Sequence, residues 1–135
     1  MKTIRLQIDS EDGIATLVHD APDAAVNTMT RTWQADLAEA VAQLAAARAQ
    51  LRGVIVESAK STFFAGAQLD SVLTLTPADA PAAFTEIEAM KRSFRTLETL
   101  GCPVVALVNG AALGGGWEVA LAAHARFAID DRRIQ

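Results

Sequence analysis

The sequence predicts an α/β domain built largely on parallel strands. Apolar residues alternate in two short runs at the start, as in a strand hairpin. Two longer segments then carry apolar residues at helical spacing. Each is followed by a short apolar run rich in β-branched residues. The order reads β-β-α-β-α-β-α-β, and strands separated by helices pair in parallel.

Ile4, Leu6 and Ile8 alternate with Arg5, Gln7 and Asp9 to give the first strand. Glu11, Asp12 and Gly13 supply turn chemistry, and Ile14 to His19 forms the second strand. Ala21 to Ala25 is a loop. Thr30 is placed to cap a helix running to about Gln50, with Trp33, Leu37, Val41 and Leu44 on one face. Gly53 ends that region, and Val54 to Val56 is a short buried strand. Ser61 to Ala67 is a loop of small residues, followed by a short helix from Gln68 to Leu75. Pro77 and Pro81 punctuate the next connection. Ala82 to Leu100 is the second long helix, carrying Phe84, Ile87, Met90, Phe94 and Leu97, and Gly101 to Pro103 stops it. Val104 to Val108 is a buried strand, Gly114 to His124 a third helix, and Arg126 to Ile129 the start of another strand.

The chain has 135 residues, enough for one modest core. Half its residues are apolar and the net charge is −4, as in a soluble globular domain. No basic patch stands out, so nucleic-acid binding is not expected. No apolar run approaches the length of a membrane span. Cys102 is the only cysteine, which rules out an intrachain disulfide and fits a reducing compartment. The N-terminus alternates and carries charge, unlike a signal or transit peptide, so a cytoplasmic location is expected. There is no short-period repeat and no polar linker. The chain stops at Arg132-Arg133-Ile134-Gln135, directly after a strand, so a longer protein is expected.

The chemistry concentrates at Val104 to Glu118. A buried strand enters a turn, and Gly114, Gly115 and Gly116 open a helix with Glu118 in its first turns. Glycine here can serve close packing alone, and Glu118 can be a favourable charge near a helix N-terminus. No Ser or Thr stands three residues before Glu118, so there is no capping box. Phosphate-loop readings fit badly. Gly110 and Gly115 match two glycines of the GxxxxGK[ST] pattern, but Gly116 and Trp117 stand where Lys and Ser or Thr are needed. A catalytic reading has definite geometry. The first N–H groups of a helix lack intrahelical partners and can hold an anion. A side chain in the first turns leans back toward them. A thioester oxygen held at the Gly115 N–H would be polarised beside the Glu118 carboxylate. A second donor can come from Phe63 to Asp70, another tight loop of small residues after a strand.

The two segments, in this order and separation, resemble the crotonase (enoyl-CoA hydratase/isomerase) superfamily. Phe64-Ala-Gly-Ala67 is similar to that family's F-x-A-G-A-D-[IL] loop. Pro103 to Glu118 is similar to its P-[VT]-[IV]-A-A-[VI]-N-G-x-A-x-G-G-G-x-E segment. Asp12 to Val18, Asp20-Ala-Pro22 and Asp131 to Ile134 resemble the hydratase/isomerase domain that opens the multifunctional β-oxidation α-subunit. The similarity in element order covers nearly the whole chain.

The resemblance implies a spiral of ββα units, of which residues 1–135 would be the N-terminal portion, incomplete at the C-terminal side. It implies a trimer-type homo-oligomer or a multienzyme complex. Ala67 and Gly115 would supply the two oxyanion-hole N–H groups, and Glu118 would be the first catalytic glutamate. Ala65, Ala67, Gln68 and Leu69, with the loop near Ala25, would line the coenzyme A side of the pocket. The substrate would be a coenzyme A thioester, with no bound cofactor and no metal. Paired glutamates would direct syn addition of water to a trans-2-enoyl-CoA in fatty-acid oxidation, or shuttle a proton in Δ3-to-Δ2 isomerisation.

Gln68 stands where the family usually has Asp, and His124 where Asp is common; His124 and His19 are read as structural. The second glutamate would fall a few residues past Gln135. Glu86 and Glu88 read as a solvated helix face. An incomplete domain would expose sheet edge and apolar surface. Two alternatives stand beside the hydratase. One is a single-carboxylate isomerase. The other is a non-catalytic acyl-CoA-binding or assembly module.

Overall fold

The computed structural model of the chain describes every residue except 69–71, 133 and 135. Strands β1 (Ile4–Ile8), β2 (Ile14–His19), β3 (Gly53–Ser58), β4 (Val104–Val108) and β5 (Ala125–Ala128) form one sheet in sequential order. β1 and β2 are an antiparallel hairpin, with Ile4 opposite His19 and Ile8 opposite Ala15. β2, β3, β4 and β5 run parallel. The crossovers carry helices α1 (Arg31–Ala47), α2 (Ala80–Glu98) and α3 (Gly115–Leu121). A 3-10 turn, Pro77–Asp79, leads into α2, whose first turn accommodates Pro81.

Burial follows the strand alternation. Ala15, Leu17 and His19 of β2, and Val104, Ala106 and Val108 of β4, are buried, while their neighbours are half-exposed. The apolar ones among them join Val54 and Val56 of β3 in one core with Trp33, Leu37, Val41 and Leu44 of α1. Thr30 caps α1 as its sequence position predicts, its Oγ accepting from the Trp33 N–H at 3.1 Å. α1 ends at Ala47 rather than Gln50, because the chain turns at Arg48 to reach Gly53. β3 extends past Val56 to Ser58, since parallel pairing with β2 continues to His19. α3 stops at Leu121, before His124, whose backbone N–H bonds to the Val104 O at 2.8 Å.

α2 carries the expected apolar stripe and runs from Ala80 to Glu98, two residues before the expected bounds at each end. Its C-terminal half packs on the core through Leu97, with Met90 and Phe94 partly buried. Its N-terminal half stands off the body: Phe84 is 67% and Ile87 50% exposed. Helical periodicity gives the apolar stripe but not whether the stripe has a partner. At the sheet edge, β5 leaves Phe127 exposed, and Leu113, Trp117 and Leu121 are exposed as well.

Two polar residues pin the core. Asp36 accepts from the N–H groups of Lys2 (2.7 Å) and Thr3 (2.6 Å) and from Thr3 Oγ (2.8 Å), tying α1 to the start of β1. Burial alone would raise its carboxyl pKa; the Thr3 and Lys2 hydrogen bonds outweigh that and lower it. His19 is fully buried among Trp33, Phe63 and Phe64. Its Nδ1 accepts from Trp33 Nε1 at 3.1 Å, so Nε2 carries the proton of a neutral ring. Desolvation lowers its pKa to about 3. His124 is a tether: Nδ1 accepts from the Val104 N–H at 2.9 Å, and Nε2 lies 3.0 Å from Glu98 O, joining the start of β4 to the end of α2.

His19 makes the fold acid-sensitive from an unusually high pH. Below its ordinary pKa of 6.5 the unfolded chain protonates this ring, while the folded one stays neutral until about pH 3. The folded state therefore loses stability as pH falls across that window, by about 1.4 kcal/mol per pH unit for this one group. Asp36, with its lowered pKa, adds a further loss only in the carboxylate range. Urea denaturation between pH 7 and 5 should show the slope, and His19→Gln should flatten it. An equal slope in the variant would place its origin elsewhere.

Candidate active site

Three loops meet at the C-terminal ends of β2, β3 and β4, and the loop after β3 lies between the other two. On one side, Phe63 and Phe64 each donate to the Ala111 O at 3.1 Å, and Leu113 donates to the Phe64 O at 3.0 Å. On the other, Ala65 donates to the Asn27 O at 2.8 Å, and Met29 donates to the Gly66 O at 2.9 Å. Isolated parallel bridges, Phe64 with Ala112 and Met29 with Ala67, complete the ladder.

Only glycine permits this approach. Gly66 has φ +87, and a Cβ there would lie 2.6 Å from the Leu113 O and 3.5 Å from the Gly115 N. A Cβ at Gly116 would run into the Phe64 O. Gly66 thus sits against the Gly115 N–H, and Ala67 follows it directly. Neither the Ala67 nor the Gly115 N–H donates to an acceptor among the described residues. Gly114 turns the chain into α3 with φ 50, and the Trp117 and Glu118 N–H groups close on its carbonyl. Glu118 is exposed, and its Oε2 lies 3.8 Å from where a Gly115 Cβ would stand. Two free backbone donors and a carboxylate therefore share one spot. Such a spot can hold a carbonyl oxygen as negative charge develops on it and move a proton nearby.

Of the other residues singled out from the sequence, Ala65 is half-buried within the ladder, and Gln68 is exposed beside Ala67. Ala25 lies on the exposed loop two residues before Asn27. Leu69 lies outside the described residues. Glu88 pairs with Lys91 on α2, as on a solvated face, whereas Glu86 pairs across to Arg31 of α1.

Sequence reasoning missed the side chains that hold the loops. Asn27, 1% exposed, accepts from the Ala21 N–H at 2.9 Å and donates to the His19 O at 3.1 Å and Ser58 Oγ at 2.9 Å. Ser58 Oγ donates to the Thr62 O at 2.7 Å, and Asn109 Nδ2 donates to the Lys60 O at 2.7 Å. Lys60 is engaged in turn by Asp20 at 3.1 Å. Hydrogen bonds from Lys60 and then Arg5 keep the Asp20 pKa below its ordinary value. A groove of about 760 Å³ opens beside Ala67, between the start of α1 and the first half of α2. Met29, Val72, Leu75, Ile87 and Met90 give it an apolar lining. Met29 also packs against Gly115, where a Cβ would lie 2.5 Å from its sulfur.

A mostly parallel sheet with this glycine-built pair of loops at its strand ends defines the class: a crotonase-like α/β fold. The sequence profile of the Enoyl-CoA hydratase/isomerase family matches residues 9–135, and the chain belongs to that family. It is 36% identical over 128 residues to the fatty acid oxidation complex subunit alpha of Shewanella loihica, covering 91% of this chain and 17% of that one. Among solved structures it is similar to an enoyl-CoA hydratase/carnithine racemase from Magnetospirillum magneticum. That match has a TM-score of 0.81 at 29% identity and covers 95% of this chain and 46% of that one. An enoyl-CoA hydratase from Bacillus anthracis shares the fold at 24% identity and a TM-score of 0.78, over 93% of this chain and 47% of its own. The chain thus spans about half of these solved structures and a smaller share of the complex subunit.

Removing the Asn27 side chain should loosen the ladder. Asn27→Ala leaves buried partners unsatisfied and should cost about 1–3 kcal/mol of stability. A urea midpoint unchanged from wild type would show that the network does not hold the loops.

Proposed function

We propose that residues 1–135 form the N-terminal portion of an enoyl-CoA hydratase domain acting in fatty-acid β-oxidation, with isomerase activity at the same site. The observation that carries this reading is the approach of Gly66 to Leu113 and Gly115, which brings the loop bearing Ala67 against the turn bearing Gly115 and Glu118. In this reading the two donors hold the thioester oxygen of a trans-2-enoyl-CoA. Water adds its oxygen to C3, and the electron pair of the C2–C3 bond moves onto the thioester as an enolate. The donors stabilise that charge where it develops. A proton then reaches C2 on the same face, and the carbonyl re-forms. Glu118 is the carboxylate that holds and moves a proton at these carbons, and the second carboxylate comes from the longer protein. Ala65 and Gln68, with the loop at Ala25, face the coenzyme A portion, and the apolar groove beside Ala67 takes the acyl chain.

The similarity to an oxidation-complex subunit supports a place in a multienzyme complex; the alternative arrangement is a trimer-type homo-oligomer, and the location proposed for either is the cytoplasm. No helix among the described residues is long and apolar enough to cross a membrane. Isomerisation needs only one carboxylate beside the enolate, a role that Glu118 takes in a second reading. A complete protein that moves the double bond without adding water would favour that second reading.

The assay is the loss of the conjugated enoyl-thioester absorbance. The 135-residue chain should bind substrate but hydrate it poorly, since it carries one carboxylate of the proposed pair. In the longer protein, Glu118→Gln should lower kcat roughly 10²- to 10⁴-fold with little change in KM. Unchanged turnover in that variant would remove Glu118 from the mechanism.

A further inference from the structure

We propose that the Arg31–Glu86 ion pair sets the acyl-chain length that the groove accepts, by fixing how far the first half of α2 stands from α1. This rests on the thioester reading above. The groove begins at Ala67, one of the two proposed oxygen donors, and continues along Met29, Val72, Leu75, Ile87 and Met90. A hydrocarbon chain leaving a carbonyl held at Ala67 meets these side chains first. The anionic nucleotide of coenzyme A does not suit the same space, because Glu86 and Asp79 line it and its cation, Arg31, is already paired.

One wall of the groove is weakly held. Within α2 the buried residues are Ser93 and Leu97, both in the C-terminal half. The N-terminal half leaves Phe84 and Ile87 exposed and reaches the body across the groove. Among the described residues, the ion pair that joins this half to α1 is Arg31 Nη2 to Glu86 Oε1, at 3.0 Å. Arg31 is the first residue of α1, and both partners line the groove. The pair is exposed, with side chains 82% and 42% accessible, so it is worth little and is screened by salt. That is the strength expected of a latch a ligand can open. A short acyl chain gains its contacts with the wall at rest. A long one must displace the wall, and breaking the pair is part of that cost. Met29, a flexible thioether at the inner end, can refit to either position.

The experiment is calorimetric titration of the chain with the non-reacting thioesters butanoyl-, octanoyl- and dodecanoyl-CoA. Wild type, Arg31→Gln, Glu86→Gln and the charge reversal R31E/E86R are compared at low and high salt. Each single variant should raise the dodecanoyl-to-butanoyl affinity ratio by roughly three- to fivefold, the scale of an exposed ion pair. The reversal should restore the wild-type ratio, and high salt should shift wild type but not the single variants. Binding with a ratio that neither substitution nor salt changes would overturn the latch while leaving the thioester site intact. No binding of any of the three by wild type would overturn the thioester reading and the groove's occupant with it.

Discussion

The backbone of the loop after β3 lies so close to the loop after β4 that side chains cannot come between them. Everything at the candidate site depends on this contact. A Cβ at Gly66 would press on the Leu113 carbonyl, and one at Gly116 on the Phe64 carbonyl. Because nothing stands between the strands of this small ladder, the backbone leading into Ala67 lies against the turn that carries Gly115, whose N is only 3.5 Å from where a Gly66 Cβ would stand. The donors belong to the main chain, so their positions are set by the fold and not by rotamers. Such groups need little rearrangement as charge develops on a bound oxygen, which is what makes preorganised donors effective.

That contact is held from behind by a buried polar network. Asn27 satisfies three groups at once, the Ala21 N–H and His19 O at the end of β2 and Ser58 Oγ at the end of β3. Ser58 and Asn109 then fix the turn that carries Lys60 and Thr62. Beneath them, Phe63 and Phe64 pack edge-on to His19, and Trp33 meets both Phe64 and His19. The aromatic cluster anchors the loop in the core, and the polar network sets its register. The contrast with α2 is instructive. Its first half has neither kind of anchor, and the groove it walls is correspondingly open to adjustment.

The elements that position the site were largely legible in the sequence, and the reason is local. Strand alternation at Ile4 to Ile8 and Ile14 to His19, the Thr30 cap and the β-branched run at Val104 each carry their own signal. The Gly114 to Glu118 turn was legible because helix geometry relates residues three apart. What stayed hidden was long-range. Nothing in the sequence around Asn27 shows that its side chain will meet Ser58, which lies across a helix and a strand. That apolar surface would be exposed was expected, but that Phe84 and Ile87 carry it was hidden, since periodicity reports a stripe and not its partner. The partnership of Arg31 with Glu86 needs two helices placed side by side. Histidine at position 19 reads as a polar residue closing a strand. Only the packing of Trp33 and the two phenylalanines makes it a neutral, buried acceptor.

In the proposed function the Ala67 and Gly115 amides hold a thioester oxygen, and amide NMR reads both donors at once. Titrating the ¹⁵N-labelled chain with octanoyl-CoA should move the Ala67 and Gly115 amide protons downfield more than any others, as two free donors acquire an acceptor. Titrating with coenzyme A alone, which lacks the thioester carbonyl, should leave those two signals nearly in place. If octanoyl-CoA binds and perturbs other residues while these two amides stay unmoved, the thioester oxygen is held elsewhere and these amides are not its donors.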